Sequence, residues 1–434
     1  MELNNKKIIN AWCMFDWANS VYSLVIISTI FPIYYNSTTT VNGNDTVVFF
    51  GIQITNSVLY SYALSFSFLF IAAFLPLLTG IADYGGKKKM FMKGFTYLGG
   101  ISCILLYFFQ GSNIEFGIII SVLASIAFSG SLVFYDSFLP EIASSDQYDK
   151  ISAKGFSFGY GGSVLLLILC LIMIQKPELF GFSSALLPTR LSFILVGLWW
   201  IGFAQISFFY LPTNPFHKTT HGRYLTKGYR EIKKVWNTLS QLPSLKRFLW
   251  AYFFYNMGVQ TVMYLATLFA DKELKMEGGE LIMTILIIQL VAIAGSYLFA
   301  RLSSLKGNKF SLIIMVIIWT LICISAYLVM DKYQFYALAF VVGLVMGGIQ
   351  SLSRASYSKL IPEDTENHAS YFSFYDVIYN VSIVLGTFAY GAIEQFTGSM
   401  RLSALALAIF FICGLFILMS VRFPATRRTV VVTS

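Results

Sequence analysis

Near its start the chain reads AWCMFDWANSVYS, Ala11 to Ser23, an apolar run that holds a carboxylate, an amide and two serine hydroxyls. Trp12, Asp16, Asn19, Ser20 and Ser23 are spaced i, i+4, i+7, i+8 and i+11, so a helix would carry them on one face. A charged aspartate at the middle of a membrane helix costs about 2.5–3.5 kcal/mol on insertion scales, and such groups face a bundle interior or a watery cavity. Two readings of Asp16 follow. It lines a cavity and exchanges a proton or holds a substrate, or it is a buried hydrogen-bonding group that fixes a helix pair. A second stripe, Tyr252, Asn256, Gln260, Tyr264 and Thr267, has the same character. Three more ionisable groups lie near expected helix ends: Asp136 in FYDSFLPE, Arg354 in QSLSRAS and Asp376 in FSFYDV. Asp136 and Arg354 fall at comparable depth, where they either pair as an inner gate or snorkel from the helix ends.

Catalysis of other kinds is excluded by what the chain lacks. The GxxxxGK[ST] pattern of phosphate-binding loops does not occur, so ATP is not the energy source. Of three histidines, His217, His221 and His368, none falls within an expected span, and no nucleophile-base or metal-ligand spacing is present. No cofactor or metal is expected, and the chain is not an enzyme. Cys13, Cys103, Cys170, Cys323 and Cys413 all lie in apolar runs and read as packing residues.

Composition says what must position these groups. With 434 residues, 57% of them hydrophobic and 12% charged, the chain falls outside the soluble range, where about a quarter of residues are charged. The reading is an all-α integral membrane protein, because barrel strands alternate apolar with polar and SLIIMVIIWTLICISAYLVM is apolar all round. Stretches long enough to cross the bilayer predict twelve transmembrane helices near 8–35, 56–82, 90–110, 115–138, 153–175, 190–212, 247–270, 279–302, 309–330, 333–355, 372–394 and 399–421. The first is too long for a signal peptide and carries Asp16. The formal charge of +9 has no soluble basic face to serve nucleic acid, and topology explains it instead. With the N-terminus inside, 24 of the 30 Lys and Arg fall on the cytoplasmic side, which fixes both termini there and residues 36–55 outside. A basic segment, 213–246, separates six spans from six. It reads as a partly amphipathic connector, or else as a site for a partner or lipid headgroups.

The two sets of six look like a duplication. AWCMFDWANS (11–20) aligns without gaps on AYFFYNMGVQ (251–260), opposing Asp16 to Asn256 and Ser20 to Gln260, and LPEI before GFSFGY parallels IPED before YFSFYD. Halves of this kind, 1–212 and 247–434, commonly hold a substrate near the membrane midplane between them. Glycines 155, 159, 161 and 162, with 343, 347 and 348, form small-residue patches that allow close helix approach.

Between the second and third spans lies TGIADYGGKKKMF, which resembles the loop signature of the major facilitator superfamily. It departs from that pattern in having Thr79 four residues before Asp83, with Gly80 one later. The equivalent second loop, ARLSSLKGNK, has Ser304 where an acid is expected. In the first of these loops Asp83 can meet a helix N-terminus or a neighbouring cation while Gly85 and Gly86 supply the tight turn, and it is read as a gating residue that holds the second and third helices in the inward-closed arrangement. FDWANSVY, IADYGGKKK, VFYDSFLPEIAS, FFYNMGVQTVMYLATLF and GGIQSLSRASYSKLIPED together resemble the signature blocks of the vacuolar-effluxer-like branch, the autophagy-related amino-acid effluxers or unknown major facilitators. The resemblance implies a two-half, twelve-helix rocker whose first, fourth, seventh and tenth helices line the pathway, with amino-acid efflux the best-known role.

The expected function is proton-coupled secondary transport of a small solute, an amino acid or related metabolite, by a monomer in the bilayer of the bacterial cytoplasmic membrane. Candidate substrate or proton residues are Asp16, Asn19, Ser20, Asn256, Gln260 and Gln350; candidate gating residues are Asp83, Asp136, Arg354 and Asp376. A receptor or scaffold that keeps the fold without transport is the alternative, and it would need no polar stripes facing a cavity.

Overall fold

A computed structural model describes residues 3–40, 43–213 and 224–423, which leaves His217 and His221 outside the described residues. Inside a bilayer every backbone amide must find its partner within the chain, and a helix does this segment by segment. The structure is accordingly helical, apart from a small antiparallel hairpin, Thr46–Phe49 with Ile52–Thr55, in the loop after the first helix.

The first helix, α1, runs Lys6–Thr39 and is π-helical over Tyr22–Ile30. Within that stretch Ser28 and Thr29 donate their hydroxyls to carbonyls five residues back, at 2.9 and 2.7 Å. The next five are α2 (Asn56–Gly85), α3 (Lys88–Phe108), α4 (Ile114–Asp136), α5 (Tyr148–Gln175) and α6 (Leu186–Tyr210). After a linker helix, Tyr224–Gln241, come α7 (Pro243–Leu274), α8 (Gly278–Lys306), α9 (Asn308–Leu328), α10 (Lys332–Leu360), α11 (His368–Thr397) and α12 (Met400–Met419). Eleven of these twelve are long and apolar enough to cross a membrane by length and hydropathy. The exception is α7, whose 32 residues are diluted by the Tyr252, Asn256, Gln260 and Tyr264 stripe and by charged ends.

Expected and observed spans agree within a few residues, the main difference being that helices continue past the apolar run into polar caps. One such extension matters: α11 begins at His368 and not near 372, so a histidine expected to lie in a loop is the buried first residue of a helix.

The halves meet along α2 with α11 and along α5 with α8 and α10. Within each half, close helix approach needs glycine. A Cβ on Gly155 would come within 2.6 Å of Asp16 Oδ2, and one on Gly343 within 2.7 Å of the Ile288 carbonyl, so α5 sits against α1 and α10 against α8 as no larger residue would permit. The linker helix is more than a solvated connector. Gly228 lies directly against Ile81 of α2, Glu231 accepts a hydrogen bond from Asn367 beside α11 at 3.0 Å, and Trp236 meets Phe374 at 5.6 Å.

Candidate functional site

A cavity of about 190 Å³ lies between the halves, and all six substrate or proton candidates line it: Asp16, Asn19 and Ser20 from α1, Asn256 and Gln260 from α7, and Gln350 from α10. Three of the four gating candidates, Asp136, Arg354 and Asp376, line it as well. A second void of about 360 Å³ shares Leu24, Ser28, Met263, Tyr264 and Gln289 with the first, and extends it towards the hairpin side.

The centre of the site is Arg354. Its Nη1 donates to Asp136 Oδ1 at 2.9 Å, its Nη2 lies 3.3 Å from Asp16 Oδ2, and its Nε donates to the Ser152 hydroxyl at 2.9 Å. Nη2 also donates to the Ser152 carbonyl at 3.1 Å, so an arginine of the second half is bonded to three helices of the first. Aromatic faces complete its surroundings: the guanidinium carbon is 4.7 Å from the Trp12 ring and 4.2 Å from that of Phe156. Tyr135 donates its hydroxyl to Asp16 Oδ2 at 2.7 Å, while Trp12 donates its indole N–H to the Tyr135 carbonyl at 3.0 Å. Asp16, Asp136 and Arg354 are each at least nine-tenths buried. Snorkelling is therefore not what Asp136 and Arg354 do: their charges meet in the interior.

Asp16 binds Arg354 and Tyr135, while Asn256, the residue it aligns with, donates to Ser382 of α11 at 2.5 Å and accepts from Gln260 at 3.2 Å. One expectation changes. Trp12, placed on the polar stripe, is wholly buried behind the cavity wall. Gln350 accepts from Tyr160 of α5 at 2.6 Å, a contact between the halves. Asn19 Nδ2 and Asp376 Oδ2 are buried and make no hydrogen bond among the described residues.

Asp83 is elsewhere, on the linker side. Its Oδ2 accepts from the backbone N–H of Ser370 at 2.6 Å, so it meets a helix N-terminus as expected, that of α11 across the seam, where a helix end favours negative charge. Gly86, with φ +59°, ends α2 in the left-handed region and allows the chain to turn there. Close by, Lys88 pairs with Glu141 at 2.5 Å, and His368 lies 3.2 Å from the same carboxylate oxygen.

A matching clasp closes the other flank. Asp149 at the start of α5 takes Lys359 at 2.7 Å, Ser303 at 2.9 Å and Asn308 at 2.8 Å, all from the second half. The acid missing at Ser304 is thus supplied by the opposite half. The sequence stripe held two of the cavity tyrosines, Tyr252 and Tyr264, and missed Tyr255, Tyr375 and Tyr379 together with Asp149, His368 and Tyr135. Tyr135 had a signal, since it directly precedes Asp136, an expected gate residue; Asp149 had none, because its partners lie more than 150 positions away.

Comparison with known proteins agrees with this architecture. The "Vacuole effluxer Atg22 like" family matches residues 4–149 and 143–430. The uncharacterized MFS-type transporter YxiO of Bacillus subtilis is 29% identical over 94% of this chain and 93% of its own. Autophagy-related protein 22-1 of Neosartorya fischeri is 23% identical, covering 87% of this chain and 76% of its own. Among solved structures, the major facilitator transporter FucP in the outward conformation superposes with a TM-score of 0.71 at 12% identity over 96% of this chain and 99% of its own. The proton:xylose symporter XylE does so with a TM-score of 0.71 at 13% identity over 96% of each chain. With its twelve helices in two halves around a buried polar cavity, the chain belongs to the vacuole effluxer Atg22-like family of major facilitator membrane transporters.

Proposed function

We propose that the chain exports an amino acid or a related small metabolite by alternating access, with proton movement through Asp16 and Asp136 as the driving step. The observation that carries this reading is the buried trio. Two carboxylates share one guanidinium, so the group is short of one positive charge when both are ionised, and one proton restores neutrality in a place where unbalanced charge is costly. Arg354 belongs to one half and both acids to the other, so a change in protonation alters the attraction between the bodies that must rock apart. The efflux role is supported by the kinship with vacuole effluxers, and the amino-acid substrate by the resemblance of the signature blocks alone. The linker side is read as cytoplasmic from its basic residues, the membrane as the bacterial inner membrane, and the transporting unit as the monomer.

Asp16→Asn in proteoliposomes tests the coupling. The variant keeps the size and a hydrogen-bonding oxygen for Tyr135 but no longer titrates. Accumulation driven by a pH gradient should fall at least tenfold, while counterflow of labelled leucine, which needs no net proton transfer, persists. Undiminished pH-driven accumulation by a folded Asp16→Asn protein would remove Asp16 from the coupling step.

A further inference from the structure

The trio leaves one acid unused. Asp376 on α11 is 5% exposed, lines the cavity, and has an oxygen, Oδ2, without a hydrogen-bond partner among the described residues. The cation that might have served it is fully engaged: Arg354 directs its three nitrogens to Asp136, Asp16 and Ser152. No other lysine or arginine lines the cavity among the described residues. A buried carboxylate without a partner is expensive. It is relieved by a proton or by a positive group from outside, and the cavity beside Asp376 leaves room for the second.

The walls beside Asp376 have a matching preference. Tyr375 stacks on Tyr252 of α7 with ring centroids 4.3 Å apart, and Tyr255, Tyr379, Tyr160 and Tyr264 contribute further rings to the same cavity. Tyrosine faces attract cations, most strongly when the cation has been stripped of water. A hard metal ion would need several oxygen ligands converging at short range, and the described residues contain no group of three or more His, Cys, Asp or Glu able to hold one. An anion would enter a space where three carboxylates face one guanidinium.

From this we infer that Asp376 and the tyrosines around it form the binding site for the ammonium group of an organic solute, with Asp376 as its counter-ion. The inference rests on the transport reading above and sharpens it: the cargo must present a positively charged nitrogen, while its carboxylate, if present, is not what the site selects. The proton and the cargo then use separate acids, Asp16 with Asp136 for the one and Asp376 for the other.

A ladder of five probes of like shape tests this by isothermal titration of the full chain in lipid nanodiscs: leucine, leucinamide, isopentylamine, N-acetyl-leucine and isovalerate. The three amines should bind at least tenfold more tightly than the two compounds that lack a free amine. Asp376→Asn should weaken leucinamide at least tenfold, whereas Asp376→Glu, which keeps the charge, should stay within about fivefold. Binding of isopentylamine and leucinamide without leucine would uphold the ammonium site and overturn the amino-acid cargo. Binding of N-acetyl-leucine or isovalerate with the amines silent would overturn the ammonium site and leave a metabolite exporter standing. Failure of every amine to bind, or unchanged leucinamide affinity in Asp376→Asn, overturns the inference. The ladder on the native chain decides the charge preference even where a variant is too unstable to purify.

Discussion

At the scale of single residues, the site is a problem in packing as much as in charge. Gly155 shows this, because a methyl group there would stand 2.6 Å from Asp16 Oδ2 and 3.0 Å from Arg354 Nη2. Both atoms are pinned, the first by Tyr135 and the second by the Ser152 carbonyl, so neither can swing aside without breaking a bond. Overpacking of this kind costs about 1–3 kcal/mol. Gly155→Ala should therefore still fold, with a lower melting temperature, and should lose most gradient-driven flux because Asp16 and Arg354 are pushed apart. A melting curve and a flux assay on one preparation check it; full flux would show that the 3.3 Å contact is dispensable. The sequence showed Asp16, Asp136 and Arg354 as charges that needed a reason, since an ion in an apolar run is visible without any fold. It did not show that one arginine serves both acids. Arg354 is 338 residues from Asp16, and periodicity along a chain carries no information about which helices become neighbours.

At the scale of elements, the linker side is held by clasps at helix ends. The one at Asp149 draws on α5, α8, α9 and α10, so it ties a helix of the first half to three of the second. Losing a charged hydrogen-bond partner in a buried position costs about 1.5–3 kcal/mol. Asp149→Asn should thus shift the balance towards the state open on the linker side by roughly 10- to 100-fold. Reactivity of a cysteine placed at Ser303, measured with and without the Asp149 change, reads this directly; equal labelling rates would mean that the clasp is ornamental to the conformational balance. Element positions were legible because apolar length sets a span, as in α9, where twenty-one residues run unbroken by charge from Phe310 onwards. The clasps were not legible, because their parts lie in caps and loops that hydropathy reads only as ends. The sole exception was Asp83, marked by its glycine and lysine neighbours, and even there the partner turned out to be α11.

At the scale of the whole molecule, the cross-half contacts gather on the linker side, while the void beside the cavity widens towards the hairpin. Sidedness is therefore the decisive global quantity. With the linker side cytoplasmic, an impermeant thiol reagent should label a cysteine at Asp45 from outside and one at Lys87 from within. Of the native thiols, Cys13, Cys103, Cys170 and Cys323 are buried, and the half-buried Cys413 is replaced by serine for the assay. Labelling of position 45 only from the cytoplasmic face would invert the map and make the open face the inner one. The same geometry gives the protein an optical property. Trp236 of the linker helix is 59% exposed and rests 5.6 Å from Phe374 at the start of α11, on the boundary that must part when the linker side opens. An indole that trades an aromatic neighbour for water changes its emission, so each cycle of the transporter carries a fluorescent signature of its own, read without attaching any dye.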